Sequence, residues 1–254
     1  MNIFLTNDDG LGSPGLNALE NELGKKHSLW TVAPEKEMSG QSHSITLIEG
    51  LKLNRVSENR FSVRGTPVDC INLGFQAVIP SKPDLMISGI NRGPNLGTDI
   101  VYSGTCAAAR EAGLRGIPSI AVSCSSMKGP WNYSEAAAFI AENLENFLEL
   151  WQPDVFLNIN WPDNSGNKKN KKKVRLTFPG KRRYKDKLIS FVSPRGDEYW
   201  FLEPASVISE DAEGSDSHAV NNGDISISRV FLEPAAVYNS SDNELHDKIS
   251  WEGL

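Results

Sequence analysis

Cysteine is scarce in this chain of 254 residues: Cys70, Cys106 and Cys124 have no Cys-x-x-Cys spacing and, being odd in number, cannot all pair. They suit small core positions in a reducing compartment better than a disulfide framework. Histidine is almost as thin. His27, His43, His218 and His246 are scattered, and none lies at the spacing a zinc site requires. No apolar run approaches the ~20 residues of a membrane span. The N-terminus carries no signal-peptide pattern, because acidic residues arrive at Asp8 and Asp9. Excess positive charge is missing as well: 26 Lys and Arg against 32 Asp and Glu leave a formal charge of -6. Such a balance repels a nucleic-acid backbone. The one basic run, Lys168-Lys169-Asn170-Lys171-Lys172-Lys173, follows a polar Pro/Gly-containing stretch and reads as a solvated loop. The expectation is a cytoplasmic protein with neither a nucleic-acid nor a membrane partner.

The first half of the chain alternates strand-like and helix-like segments. Apolar strands are expected at Ile3–Leu5, Leu29–Ala33, Leu85–Ser88, Ser119–Ser123 and Val155–Ile159, with a hairpin at Leu51–Arg64. Helices are expected at Gly15–Leu23, Val68–Ala77 and Thr105–Leu114. A long amphipathic helix capped by Ser134 is expected over Ser134–Trp151. This alternation predicts a doubly wound, mostly parallel sheet flanked by helices, an α/β fold. Beyond Trp161 the pattern changes to short strand candidates between polar stretches: Val174–Phe178, Leu188–Phe191, Glu198–Glu203 and Ile225–Phe231, with a helix only in the C-terminal tail. The division expected is 1–161, an α/β core carrying the site, and 162–254, a β-rich extension with an oligomerisation hairpin and a tail.

The chemistry concentrates at strand ends. Asn7-Asp8-Asp9-Gly10 follows the first strand, where open α/β sheets bind ligands. Neighbouring side chains on a strand point to opposite faces, so the two carboxylates meet one ion only if the chain turns, as Gly10 permits. A polar strand-to-helix loop is the alternative. The loop after the second strand holds Met38-Ser39-Gly40-Gln41-Ser42-His43-Ser44. The loop after Leu85–Ser88 holds three glycines, Pro94, Asn91 and Asn95 in ten residues. Tyr102-Ser103-Gly104-Thr105 opens a helix whose free N–H groups and dipole suit an anion. Carboxylates, hydroxyls and amide carbonyls are hard ligands that favour Mg²⁺ or Mn²⁺ over zinc. Such an ion beside an anion-binding helix start is the equipment of phosphate ester hydrolysis.

These motifs together resemble the SurE (survival protein E) nucleotidases. The likeness is carried by Thr6-Asn7-Asp8-Asp9-Gly10, by Val32-Ala33-Pro34 with Ser39-Gly40, and by Gly65-Thr66-Pro67-Val68-Asp69-Cys70. It continues in Ser88-Gly89-Ile90-Asn91 through Asn95-Leu96-Gly97, and in Tyr102-Ser103-Gly104-Thr105. The resemblance implies a Rossmann-like fold and 5′-nucleotidase action on nucleoside monophosphates, with 3′-monophosphates and polyphosphate as further substrates. It implies one divalent ion per subunit held by Asp8, Asp9, Ser39 and Asn91, and a homodimer or homotetramer with an exchanged C-terminal hairpin. Asp8 and Asp9 are then the catalytic carboxylates, and Asn95, Ser103, Gly104 and Thr105 take the phosphate. Arg229-Val230-Phe231 departs from the family's continuation after Ser228.

Three other readings compete. An aspartyl-nucleophile phosphatase needs two spaced carboxylates, commonly Asp-x-Asp, which the adjacent pair does not supply. A zinc deacetylase with a His-x-x-Asp-Asp start needs histidine where Leu5 stands. A nucleotide-binding regulator without turnover would keep the anion site and dispense with the carboxylates.

Overall fold

The computed structural model describes residues 1–126, 129–162 and 172–235. The first strand, β1 (Asn2–Thr6), runs into α1 (Pro14–Leu23) and returns as β2 (Ser28–Pro34). A hairpin of β3 (Lys52–Ser57) and β4 (Arg60–Arg64) leads to α2 (Pro67–Leu73) and β5 (Leu85–Arg92). Then follow α3 (Gly104–Leu114), β6 (Ser119–Cys124), α4 (Tyr133–Glu142), α5 (Leu144–Leu150) and β7 (Val155–Trp161). Beyond these lie β8 (Val174–Thr177), the long pair β9 (Arg182–Val192) and β10 (Glu198–Ser209), α6 (Asp216–Asn221) and β11 (Ile225–Phe231).

Among the described residues nine strands form one sheet in the order β3-β4-β2-β1-β5-β6-β7-β11-β8. From β4 through β7 every neighbouring pair is parallel. The fold is therefore the α/β, mostly parallel arrangement that the alternation predicts, with antiparallel strands towards the C-terminus. From β1 the chain moves first to β2 on one side and later to β5 on the other. The crevice between the carboxyl ends of β1 and β5 is thus the topological switch point.

Strand alternation divides the core. Ile3 and Leu5 join Leu16, Leu19, Ile87, Ile140 and Phe147 on the face covered by α1, α4 and α5. Phe4 points the other way, into Cys70, Ile71, Met86, Ala108 and Ala112 under α2 and α3. The alanines of α3 let that helix lie close on the sheet. Each large side chain buried here contributes roughly 1.5–3 kcal/mol.

Several elements differ from the sequence reading, and each has a local cause. The single helix expected over Ser134–Trp151 is two helices, and its cap is Asn132, whose side chain accepts from Glu135 N–H at 3.3 Å. The break falls at Asn143, whose Nδ2 donates to the carbonyl of Phe139 at 2.9 Å and competes with the helix ladder. The helix expected over Val68–Ala77 becomes α2 followed by a π-turn, Gly74–Val78. A Cβ at Gly74 would stand 2.3 Å from the ring of Phe4, so only glycine lets the chain pass there. Beyond Trp161, β8 and β11 join the central sheet, whereas β9 and β10 pair with each other in a separate antiparallel ribbon. Lys168–Lys171 and the C-terminal tail lie outside the described residues.

The register of β5 against β6 shifts between Ser88 and Asn91, a bulge that re-aims Asn91 at the strand's end. Gly89 makes the bulge possible with φ +139, and a Cβ there would lie 2.4 Å from the carbonyl oxygen of Val122. Replacing Gly89 with Ala should therefore lower the unfolding free energy by about 2–4 kcal/mol. Urea denaturation measures this, and an unchanged midpoint would contradict the packing described.

Candidate active site

Asn7 builds the turn that follows β1. Its Nδ2 donates to the carbonyl of Gly10 at 3.0 Å and to Ser13 Oγ at 2.6 Å, and its Oδ1 accepts from Gly10 N–H at 3.2 Å. Gly10 closes the turn at φ +98, a conformation that costs glycine little. Ser13 then caps α1. This brace takes Asp8 and Asp9 out of strand alternation. Asp8 is buried: its Oδ1 accepts from Thr105 Oγ1 at 2.5 Å and its Oδ2 from Thr105 N–H at 3.1 Å. Asp9 Oδ2 accepts from the backbone N–H of Arg92 at 3.0 Å. One carboxylate thus leans on the first turn of α3 and the other on the end of β5.

The electrostatics are adverse to two negative charges. Burial pushes the Asp8 carboxyl up to about 6, against the opposing pull of the Thr105 hydroxyl, and the charge of Asp9 raises it further. Burial also raises Asp9, while the Arg92 N–H and guanidinium lower it and Glu37 raises it. Among the described residues no Lys, Arg or His is a cause of the shift at Asp8. Two carboxylates so placed suit a bound cation, which offsets both desolvation and mutual repulsion.

Ser39 and Asn91 lie on the elements that flank β1, Ser39 in the loop after β2 and Asn91 near the end of β5. The loop after β2 is pinned where Met38 N–H donates to the carbonyl of Asp8 at 2.7 Å. Ser39, exposed in that loop, donates its hydroxyl to Glu37 Oε1 at 3.0 Å. Asn91 donates Nδ2 to the carbonyl of Gly93 at 2.9 Å, which leaves its Oδ1 for another partner. The candidate donors at the ends of β1, β2 and β5 are two carboxylates, a hydroxyl and an amide oxygen. Among the described residues no group of three or more His, Cys, Asp or Glu is placed to hold a metal ion. An all-oxygen set of two carboxylates, a hydroxyl and an amide is of the kind that suits Mg²⁺ or Mn²⁺.

The helix start lies against the pair. A Cβ on Gly104 would stand 3.0 Å from Asp8 Cβ and from Pro67 Cγ, a tight fit that would push on the Asp8 side chain. Ser103 caps α3 by accepting from Cys106 N–H at 3.0 Å. Thr105 gives both its N–H and its hydroxyl to Asp8, so here it orients the carboxylate. Asn95 is buried in an amide network. Its N–H donates to Asn160 Oδ1 at 2.9 Å and its Nδ2 to Ser123 Oγ at 2.8 Å. Its carbonyl accepts from Asn158 and Asn160 at 2.8 and 3.1 Å. His43 pairs with Glu111 of α3 at 3.1 Å.

Sequence reasoning passed over Asn7, Glu37, Arg92, Asn158 and Asn160. A signal existed for the last two: they alternate with Leu157 and Ile159 in a strand buried on both faces, where a polar side chain must have partners. Glu37 and Arg92 carry no such mark, since charged loop residues are ordinary. A cavity of about 390 Å³ at the amino-terminal edge of the sheet, lined by Asn2, Trp30, Arg55 and Pro83, contains none of the candidate residues.

Comparison with known proteins follows the same line. The family model of survival protein SurE matches residues 3–186. A curated 5′-nucleotidase SurE of Geotalea daltonii is 42% identical over 244 residues, covering 94% of this chain and 96% of the relative. The 5′-nucleotidase SurE of Geotalea uraniireducens is 44% identical over 241 residues, with 94% and 96% covered. The crystal structure of the SurE protein from Aquifex aeolicus is similar at a TM-score of 0.79 and 34% identity, over 98% of this chain and 99% of that one.

The raised Asp8 carboxyl has a consequence for stability. A carboxyl at about 6 in the folded protein and 3.8 as its reference is favoured protonated by folding. Its contribution is fully present below about pH 4 and lost as pH rises through 6, a cost of about 3 kcal/mol at neutral pH. In chelator-treated protein, Asp8→Asn should remove that much of the difference in unfolding free energy between pH 4 and pH 7. Parallel pH profiles for the two proteins would contradict the burial of an uncompensated charge.

Proposed function

Because the chain belongs to the survival protein SurE family, we propose that it is a 5′-nucleotidase, a phosphoric monoester hydrolase. It converts nucleoside 5′-monophosphates to nucleoside and phosphate with one divalent ion, Mg²⁺ or Mn²⁺, per subunit. 3′-Monophosphates and polyphosphate ends are further substrates of the same site. The observation that carries this reading is the contact of buried Asp8 with both donors of Thr105 at the start of α3. It brings a place suited to a cation against a place suited to an anion, and a phosphate monoester needs both.

Asp8, Asp9, Ser39 and Asn91 would hold the ion. When bound, it neutralises charge on the phosphoryl oxygens and lowers the pKa of a water molecule. Thr105 fixes the rotamer of Asp8, and the Arg92 N–H fixes that of Asp9. One of the two carboxylates, Asp8 or Asp9, would accept a proton from the attacking water. The Ser103 hydroxyl and the Gly104 N–H, at the first turn of α3, would donate to the phosphate. Thr105 and Asn95, whose donors are engaged by Asp8 and by Asn160 and Ser123, would serve it by holding that edge in shape. The aligned dipoles of that helix favour the phosphate dianion. Displacement is direct and in line, with no phosphoenzyme.

The α/β core, residues 1–161, carries the site. In the β-rich extension, 162–254, the ribbon β9–β10 exposes Leu188, Phe191, Trp200, Phe201 and Leu202. That apolar surface supports a homodimer or homotetramer built by exchange of the ribbon. Cytoplasmic residence is supported by three buried cysteines that form no disulfide. Among the described residues no helix is long and apolar enough to cross a membrane.

Phosphate release from AMP and GMP in the presence of Mn²⁺ tests the proposal. Activity should vanish with chelator and return with the metal. Asp8→Asn should lower turnover by roughly a thousandfold while the fold persists, the scale on which lost transition-state charge stabilisation acts. An Asp8→Asn protein with normal rates would refute the assignment.

A further inference from the structure

Ser39 differs from the other candidate ligands in how little holds it. Asp8 is gripped by Thr105, Asp9 by a backbone N–H, and Asn91 by Gly93. Ser39 lies exposed between Met38 and Gly40, the latter at φ +72. Among the described residues its hydroxyl has one hydrogen-bond partner, Glu37 Oε1, at 3.0 Å. A hydroxyl rotates among three staggered positions, and it ligates a cation only when its hydrogen points away from the ion. Donation to Glu37 chooses the position and turns the oxygen lone pairs free.

Glu37 is itself held. Arg92 Nη2 reaches the same Oε1 at 3.3 Å, and the Arg92 guanidinium carbon sits 5.9 Å from the ring centre of Trp131. Trp131 in turn is fastened by Nε1–H donation to the carbonyl of Ser126 at 2.7 Å. Arg92 therefore touches two candidate ligands in different ways: its backbone N–H binds Asp9 directly, and its side chain binds Ser39 through Glu37. Both members of the ion pair are about half exposed, at 50% and 53%. Such a pair adds little to fold stability, so its effect is geometric.

We propose that Glu37 and Arg92 form a bracket that sets the Ser39 hydroxyl in register with Asp9 for a shared cation, which makes both of them positioning residues. The proposal rests on the reading of Ser39 and Asp9 as ligands. It assigns a function to an acidic side chain outside the four candidate donors. Outer-shell partners of metal ligands commonly govern affinity in this way.

Mn²⁺ affinity, read from the electron paramagnetic resonance signal of the unbound ion, tests the bracket without reference to turnover. Glu37→Ala should weaken binding roughly tenfold. Glu37→Gln, which keeps an acceptor oxygen but no charge, should recover most of the affinity. In a Ser39→Ala background, Glu37→Ala should add nothing, because the group it orients is gone. Glu37→Ala with wild-type affinity would overturn the proposal. So would Glu37→Gln as weak as Glu37→Ala, since charge rather than geometry would then be responsible. Asp8→Asn separates this inference from the one beneath it. If that variant keeps its Mn²⁺, the ligand reading itself fails; if it loses Mn²⁺ while Glu37→Ala does not, the bracket alone fails.

Discussion

A carboxylate removed from water, with a second one beside it, sets the terms for the rest of this molecule. Asp8 lies between the end of β1 and the first turn of α3, and Thr105 satisfies both its oxygens without neutralising its charge. Burial holds its carboxyl well above the ordinary range. A fold under selection for stability alone would place an amide or an apolar group there. The surrounding structure instead works to keep the carboxylate in position. Asn7 braces the turn, Gly104 makes room for the side chain, and the Asp8 carbonyl anchors the Ser39 loop through Met38.

The sheet supplies the geometry that makes this placement useful. Parallel strands bring all their carboxyl ends to one edge, and the reversal of direction at β1 opens a gap beside β5. Three loops from β1, β2 and β5 meet there, together with the start of α3. No single loop contains the whole set. The amide network of Asn95, Asn158, Asn160 and Ser123 extends the same edge across β6 and β7. It holds a glycine-rich loop that has no regular ladder of its own.

Much of this was readable in the residues. Ile3–Leu5, Leu85–Ser88 and Val155–Ile159 announce buried strands because short apolar runs bounded by turn residues admit few other conformations. Adjacent aspartates at a strand's end announce a turn, since alternation would otherwise separate them. What stayed hidden depends on distant or single contacts. The break at Asn143 comes from one side-chain bond to Phe139 inside a uniformly helical pattern. The pairing of β11 with β7 and β8 has no local signature, because strand partners are chosen by tertiary packing. Thr105 looks like a phosphate donor from its helix position. Its engagement with Asp8, 97 residues earlier, emerges only in three dimensions. Glu37 and Arg92 read as ordinary surface charges until the fold joins them in an ion pair beside Asp9.

The central claim is that four oxygen donors from three strand ends converge on one cation. Anomalous diffraction from a crystal soaked in Mn²⁺ tests it most directly. The account predicts a single strong peak within bonding distance of oxygens of Asp8, Asp9, Ser39 and Asn91. A peak bound by other side chains, or none at the β1–β5 crevice, would contradict it.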